Sequence, residues 1–359
     1  MKTLNLLVLP GDGIGPEVTA GALKVLEAVC ERTDLHVEIQ KAEFGGASID
    51  AHGVPMTDDL LKLAKDSHAI LLGAVGGPQW DAQPTHLRPE KGLLQLRKGL
   101  GVYANLRPST FFDALLDSSP LKPEVCRGAD MLIVRELVGG IYFGEPRGVE
   151  GSGDDREGFN TMRYSVAEIK RVAKVAFEAA QGRDKRLLSV DKENVLEVQR
   201  LWRSVVDEMA SDYPDVEVEH MYVDNCAMQL VRRPTEFDVI VTGNMFGDII
   251  SDAAAALTGS LGMLPSASIG DGPGLFEPVH GSAPDIAGQG ISNPLATILS
   301  LAMLLRHSGQ RDDLADAIEK AVEEVLARGL RTADLAGSTG DSVSNEAMTK
   351  AVIDSLKFD

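Results

Sequence analysis

The sequence is short of cysteine and of basic charge, and it holds no long apolar run. Three cysteines in 359 residues, Cys30, Cys126 and Cys226, lie far apart and are odd in number, which argues against a disulfide framework and a thiolate zinc site and leaves buried free thiols. Lysine and arginine total 35 against 54 acidic residues, for a formal net charge of −19. A chain this acidic repels phosphate backbones and anionic lipid unless its basic residues cluster, and no cluster is present, so neither nucleic acid nor membrane is expected as a partner. The longest apolar stretch, Leu295 to Leu305, falls short of the roughly 20 residues that span a bilayer. The start runs straight into a strand-like segment, Leu4 to Leu9, with no basic region before an apolar one, so no signal peptide and a cytoplasmic location are expected. What the chain does have, 44% apolar and 25% charged residues, is the composition of a globular protein, and its length suggests about two domains.

Apolar strands alternate with amphipathic helices, which predicts an α/β fold. Strands are expected at Leu4 to Leu9, Val37 to Lys41, Ala69 to Gly73, Met131 to Arg135, Arg186 to Val190, Glu217 to Tyr222 and Val239 to Val241, with a helix at Val18 to Arg32. Ser292 to Arg306 is apolar on all faces, as a helix buried in a core would be. Gly139 to Arg163 breaks the pattern with many glycines, acidic pairs and aromatic islands at Tyr142-Phe143 and Phe159. It reads as an inserted hairpin or arm of the kind that serves subunit contact, or as a plain surface loop.

Four features carry chemical interest. The turn Leu9-Pro-Gly-Asp-Gly-Ile-Gly-Pro-Glu17 is glycine-rich but lacks the Gly-x-Gly-x-x-Gly spacing of a dinucleotide fingerprint. Asp248 and Asp252 are four apart in an expected helix, Phe246 to Leu257, so their carboxylates share a face, and Asp224 could supply a third. Hard oxygen ligands of this kind suit Mg²⁺ or Mn²⁺; a solvated helix face is the plain alternative. Arg97, Arg107 and Arg135 flank or end expected elements, where they could hold a polycarboxylate or pair internally with glutamates. Lys192 directly follows a strand, where a lysine near other cations can serve as a base, and Tyr142 could donate a proton; a surface lysine and a packing tyrosine are the bland readings.

Together these segments resemble the NAD(P)-dependent β-decarboxylating dehydrogenases of the isocitrate/isopropylmalate family. The resemblance runs through nearly the whole chain: the opening Leu9 to Glu17 turn, Gly92-Leu-Leu-Gln-Leu-Arg-Lys98, Tyr103-Ala-Asn-Leu-Arg-Pro108, Val134 to Arg147, Asp191-Lys-Glu-Asn-Val-Leu196, Val241 to Asp252, and Glu277 to Gly288. It implies a two-domain, non-Rossmann α/β fold. One domain, carrying the cofactor, is built from residues 1–101 and 259–359, and the other, 102–258, carries metal, substrate and dimer contacts, with an arm at about 139–163. The active site would lie in the cleft between them, shared across a homodimer.

The resemblance also implies roles. Arg97, Arg107 and Arg135 would hold the malate carboxylates of a small-molecule substrate. Asp224, Asp248 and Asp252 would ligate Mg²⁺ or Mn²⁺, with Lys192 and Asp224 coming from the partner subunit and Asp224 also touching substrate. Lys192 would take the proton of the 2-hydroxyl as hydride leaves, and Tyr142 would protonate the carbon freed by loss of CO₂. Isocitrate-using members place a serine and an asparagine just before the first arginine, whereas here Glu90, Leu93 and Leu94 precede Arg97, and the leucines would pack on an isopropyl group. The expected reaction is therefore oxidative decarboxylation of 3-isopropylmalate to 4-methyl-2-oxopentanoate, in leucine biosynthesis. Homoisocitrate, tartrate or malate are the competing substrates; a Mg²⁺-dependent phosphatase and a non-catalytic carboxylate binder are alternatives from other classes. Residues His280 to Asn293 look like the family's adenine loop, with Ile14, Glu277, His280, Gly281, Ser282, Ala283, Asp285 and Asn293 as cofactor contacts. Asp285 can accept from ribose hydroxyls and would repel a 2′-phosphate, and NADP-using relatives carry lysine and tyrosine in place of Asp285 and Ile286, so the expected cofactor is NAD.

Overall fold

The computed structural model describes residues 3–336 and 340–358. Its strands, in chain order, are β1 (Leu4–Gly11), β2 (Val37–Lys41), β3 (Ala69–Ala74), β4 (Val102–Thr110), β5 (Asp130–Glu136), β6 (Gly148–Glu150), β7 (Glu157–Phe159), β8 (Arg186–Asp191), β9 (Glu217–Tyr222), β10 (Val239–Thr242), β11 (Pro265–Gly270) and β12 (Gly274–Pro278). The chain divides into two compact units, one made of Met1–Val102, Phe112–Pro123 and Thr258–Asp359, the other of Tyr103–Phe111 and Glu124–Leu257.

The first unit carries strands in the order β2-β1-β3-β12-β11. β1 is parallel to β2 and β3, β3 is parallel to β12, and β11 runs antiparallel to β12. β3, Ala-Ile-Leu-Leu-Gly-Ala, is buried at every position, as expected of a strand covered on both faces. The Leu295–His307 helix is buried from Leu295 through Leu305 and packs on β11, β12 and the helices Gly15–Arg32 and Asp312–Ala327. That explains why its sequence shows no polar stripe. The division expected from the sequence put residues 112–123 with the other unit. They pack here instead, because Leu115 and Leu116 need apolar cover and Arg331 donates to the Ala114 carbonyl.

The second unit orders its strands β4-β5-β10-β8-β9, antiparallel between β4 and β5 and parallel thereafter. Its helices are Val166–Gln181, opened by a capping box between Ser165 and Glu168, Glu197–Ala210, Val223–Arg232 and Asn244–Leu257. Residues 139–163 contain a small antiparallel hairpin, β6 with β7, whose Val149 is 73% exposed. A two-stranded ribbon this bare has no core of its own. The strands expected from the sequence are all present, while β4, β11 and β12 were not among them.

Candidate active site

The second unit assembles its chemistry where β4 and β5 meet the Asn244–Leu257 helix. Asn105 lies opposite Arg135 in the β4–β5 register, and Arg107 stands two residues further along β4. The antiparallel pairing thus sets Asn105, Arg107 and Arg135 on one face as direct and diagonal neighbours. Arg107 donates from Nε to Asn105 Oδ1 at 2.7 Å, and from Nη1 to Ser251 Oγ at 2.7 Å and Asp252 Oδ1 at 2.9 Å. Arg135 donates from Nε and Nη2 to Asn244 Oδ1 at 3.2 and 2.8 Å, and from Nη1 to Asp248 Oδ1. Tyr142 Oη donates to Asp248 Oδ2 at 3.0 Å. Burial, and then the Asp248 charge, push the Tyr142 phenol above the ordinary tyrosine range, so it keeps its proton at neutral pH.

The two aspartates four apart do share a helix face, as the spacing predicted, but neither stands unpaired in an apolar setting. Each answers an arginine, Asp248 pairing with Arg135 and Asp252 with Arg107. Two cations facing two carboxylates leave both kinds of group able to turn toward ligands of opposite sign.

Lys192 and Asp224 form a second cluster. Asp191, fully buried at the end of β8, accepts from Arg203 at 2.8 and 2.9 Å, which fixes the chain just before Lys192. Lys192 Nζ donates to Asp224 Oδ1 at 2.6 Å. That bond, followed by backbone donors at the start of the Val223–Arg232 helix, holds the Asp224 carboxyl below the usual carboxylate range. Among the described residues, no group of three or more His, Cys, Asp or Glu is arranged in one chain to hold a metal ion. Asp224 thus keeps company with Lys192 rather than with Asp248 and Asp252.

In the first unit, Glu90, Leu93, Leu94 and Arg97 recur at helical spacing on the Pro89–Leu100 helix, with both leucines half-buried. Arg97 Nη2 donates to Glu277 Oε1 at 2.7 Å, so Glu277, expected at the cofactor, is an arginine partner in this structure. Arg97 Nε is buried with no partner.

The glycine-rich turn meets the 280–293 loop in the same unit. Ile14 N–H donates to the Ser282 carbonyl at 2.8 Å. A Cβ on Gly13, whose φ is +57°, would come within 2.0 Å of that carbonyl oxygen, so only glycine fits. Ala283 also sits at positive φ, Gly281 and Asp285 are exposed, and Ser282 and Asn293 are buried. Asn293 donates from Nδ2 to Asp334 Oδ2 at 3.0 Å and accepts the Leu295 N–H at 3.0 Å. His280 donates from Nδ1–H to the Gly281 carbonyl at 2.9 Å, while its Nε2 is shut from solvent with no partner. Burial lowers the His280 pKa, so the ring is neutral at pH 7.

Several residues that build these sites gave no sequence signal. Asn105, Asn244 and Ser251 orient the two arginines. Asp12, within the turn, accepts N–H groups of Gly46, Ala47 and Gly76, each at 2.8 Å. A single asparagine or aspartate near a strand end looks ordinary in sequence, and only its burial marks it.

The family description "Isocitrate/isopropylmalate dehydrogenase" matches residues 5–354. The protein named 3-isopropylmalate dehydrogenase in Hahella chejuensis is 61% identical over 350 residues, 97% of each chain. Its namesake in Aquifex aeolicus is 56% identical over 357 residues, 99% of this chain and 98% of that one. Among solved structures, isocitrate dehydrogenase from Methylococcus capsulatus matches with a TM-score of 0.86 at 33% identity, over 98% of this chain and 99% of the other. A beta-decarboxylating dehydrogenase from Thermococcus kodakarensis matches at 0.79 and 36% identity, over 98% and 96%. Paired arginines beside carboxylates and a protonated phenol, with a lysine–aspartate pair apart from them, are groups that an oxidoreductase acting on an anionic hydroxy acid would use. This chain belongs to the isocitrate/isopropylmalate dehydrogenase family.

Proposed function

We propose that the protein catalyses the NAD-dependent, metal-assisted oxidative decarboxylation of 3-isopropylmalate to 4-methyl-2-oxopentanoate in leucine biosynthesis, in the cytoplasm and as a homodimer with shared active sites. The observation that carries this reading is the arrangement of Arg107, Arg135, Tyr142, Asp248 and Asp252 in one contact network, in a chain whose relatives at 55% identity and above bear the name of that activity.

Arg97, Arg107 and Arg135 hold the two carboxylates of the malate core, and Leu93 and Leu94, with Glu90 on the same helix face, receive the isopropyl group. Asp248 and Asp252, with Asp224 from the partner copy, form an all-oxygen donor set that fits Mg²⁺ or Mn²⁺. Such an ion, when bound, polarises the 2-hydroxyl and its neighbouring carboxylate. Lys192 takes the hydroxyl proton as C2 is oxidised, giving a 2-oxo acid with a β-carboxylate; NAD, which residues 280–293 would hold, would supply the hydride acceptor. The bond to that carboxylate then breaks to release CO₂, and Tyr142, protonated at neutral pH, delivers its proton to the carbon. The 280–293 loop fits NAD on two counts: the buried, unpartnered His280 Nε2 awaits a polar partner, and the Asp285 carboxylate stands exposed to accept from ribose hydroxyls. Support for the dimer comes from Met228 and Val231 on the Val223–Arg232 helix and Ile249 on the Asn244–Leu257 helix. All three are exposed, at 56%, 48% and 58%, on two helices packed together.

The test is NADH formation by purified protein with Mn²⁺, NAD and a panel of 2-hydroxy diacids. Fastest turnover is expected with 3-isopropylmalate. Faster turnover with D-malate or homoisocitrate would transfer the assignment to those substrates, and phosphate release from phosphate esters without NADH would defeat it.

A further inference from the structure

The loop assigned to NAD has little packing of its own. Gly288 and Gly290 both lie at positive φ with nothing within 4 Å of the place a Cβ would take, and Gly281 is equally open. Its shape is set by hydrogen bonds from the two ends of the chain. Glu17, in the first turn of the Gly15–Arg32 helix and half-buried, accepts the Gly288 N–H at Oε1 and the Ser292 hydroxyl at Oε2, the latter at 3.0 Å. From the other side, Asn345 opens the Asn345–Ser355 helix. It donates from Nδ2 to the carbonyl and the hydroxyl oxygen of Ser292, both at 3.1 Å, and from its backbone N–H to the Gly290 carbonyl at 2.9 Å.

The direction of these bonds is not free. An amide Nδ2 only donates, so Ser292 Oγ must accept from Asn345 and spend its one proton on Glu17. Glu17 in turn accepts at both carboxylate oxygens, one for each donor, whereas an amide of the same length would offer an oxygen at only one of the two places. The chain of donors runs from Asn345 through Ser292 to Glu17 and closes on the Gly288 amide. Fixing Gly288 also fixes the turn before it, where Gln289 N–H donates to the Ile286 carbonyl at 3.2 Å and Gln289 Nε2 to the Asp285 carbonyl at 2.8 Å.

We propose that Glu17 is a positioning residue for the cofactor: by gripping Gly288 and Ser292 it holds the Asp285-to-Gln289 turn in the shape that receives the adenosine half of NAD, with Asn345 as the opposing anchor. The proposal rests on the assignment of residues 280–293 to NAD. It touches none of the groups assigned to hydride or proton transfer.

The experiment compares wild type with Glu17→Gln, Glu17→Ala, Asn345→Ala and the Glu17→Ala/Asn345→Ala pair. It reads KM for NAD, KM for 3-isopropylmalate, kcat, and the calorimetric Kd of ADP-ribose, a probe that carries the adenosine half alone. Loss of both bonds that Glu17 accepts leads us to expect about a tenfold rise, or more, in KM for NAD and in Kd for ADP-ribose with Glu17→Ala. kcat and substrate KM should stay within about twofold of wild type. Glu17→Gln, which retains one of the two acceptors, should fall between. The double variant should lose less than the product of the single losses, because both residues act through Ser292. Wild-type ADP-ribose affinity in Glu17→Ala overturns the proposal, and so do parallel losses in NAD and substrate affinity, which mark a general role in folding. If Glu17→Ala does not fold, Glu17→Gln and Asn345→Ala give the same readouts. Failure of wild type itself to bind ADP-ribose or NAD overturns the cofactor assignment, and is distinguishable because it does not depend on any variant.

Discussion

Replacing Arg135 with lysine keeps the charge and removes the fork, which isolates what the guanidinium geometry contributes. Arg135 is 5% exposed and places two nitrogens on Asn244 Oδ1 and a third on Asp248. A lysine ammonium reaching Asp248 leaves Asn244 Oδ1, in a side chain only 1% exposed, without its partners. An unsatisfied buried acceptor costs about 1–3 kcal/mol, and the loss of a charge-assisted bond adds to it, for a total of about 3 kcal/mol. At about 2.1 cal/mol/K per residue near the melting temperature, a cooperative melt of 359 residues would show this as a fall of about 4 °C in Tm. The kinetic effect should be larger than that number suggests, because a carboxylate held by two parallel N–H groups becomes one held by a point charge. A fall of about 100-fold in kcat/KM for 3-isopropylmalate, roughly 2.7 kcal/mol, is expected, with KM for NAD unchanged. Thermal melts and steady-state assays at saturating Mn²⁺ measure both quantities. A Tm drop with kcat/KM within about threefold of wild type would show that Arg135 is structural and does not grip the substrate.

Asp252→Asn should separate stability from metal use: the ion pair to Arg107 is on the surface side, with Asp252 62% exposed, so Tm should barely move. The Mn²⁺ concentration for half-maximal rate should rise about tenfold or more, and an unchanged Mn²⁺ titration would remove it from the ligand set. Lys192→Met should abolish hydride transfer while substrate still binds, measured by single-turnover NADH formation against calorimetric affinity; a retained rate at neutral pH would remove its role as base. Gly13→Ala forces a Cβ to 2.0 Å from the Ser282 carbonyl oxygen at a φ of +57°, so a loss of about 2 kcal/mol or more and weaker NAD binding are expected. Normal NAD affinity in that variant would show that the turn yields without disturbing the loop. His280 has its folded pKa lowered by burial, so the unfolded chain binds its proton first as pH falls below about 6.5 and stability is lost in that direction. His280→Asn should flatten part of the Tm decline between about pH 7.5 and 5.5, and an unaltered decline would assign it to other groups.

Much of the fold was legible because its signals are local. The Leu4–Gly11, Ala69–Ala74 and Val239–Thr242 strands are continuous apolar runs, and the Leu295–His307 helix declares its burial by lacking a polar side. β4 was not expected as a strand: Val102–Thr110 mixes Tyr103, Asn105, Arg107 and Pro108 among its apolar positions, since one of its faces carries the site. The aspartates at 248 and 252 were readable as a pair from their spacing alone. Their partners were not, because Arg107 lies 145 residues from Asp252 and Arg135 lies 113 from Asp248.

The sequence by itself determined the α/β class, the glycine-rich turn, the break in the strand–helix pattern between 139 and 163, and the identity of the residues able to do chemistry, because periodicity, turn formers and residue type are written in neighbouring positions. Only the tertiary structure decided which of those residues meet. The β4–β5 register brings Arg107 and Arg135 together under Asn105, the Asn244–Leu257 helix lays two carboxylates across them, and Lys192 is turned toward Asp224. Glu17 and Asn345, near opposite ends of the chain, close on one loop. Such contacts depend on strand pairing and helix packing over separations of tens to hundreds of residues, and no local pattern encodes them.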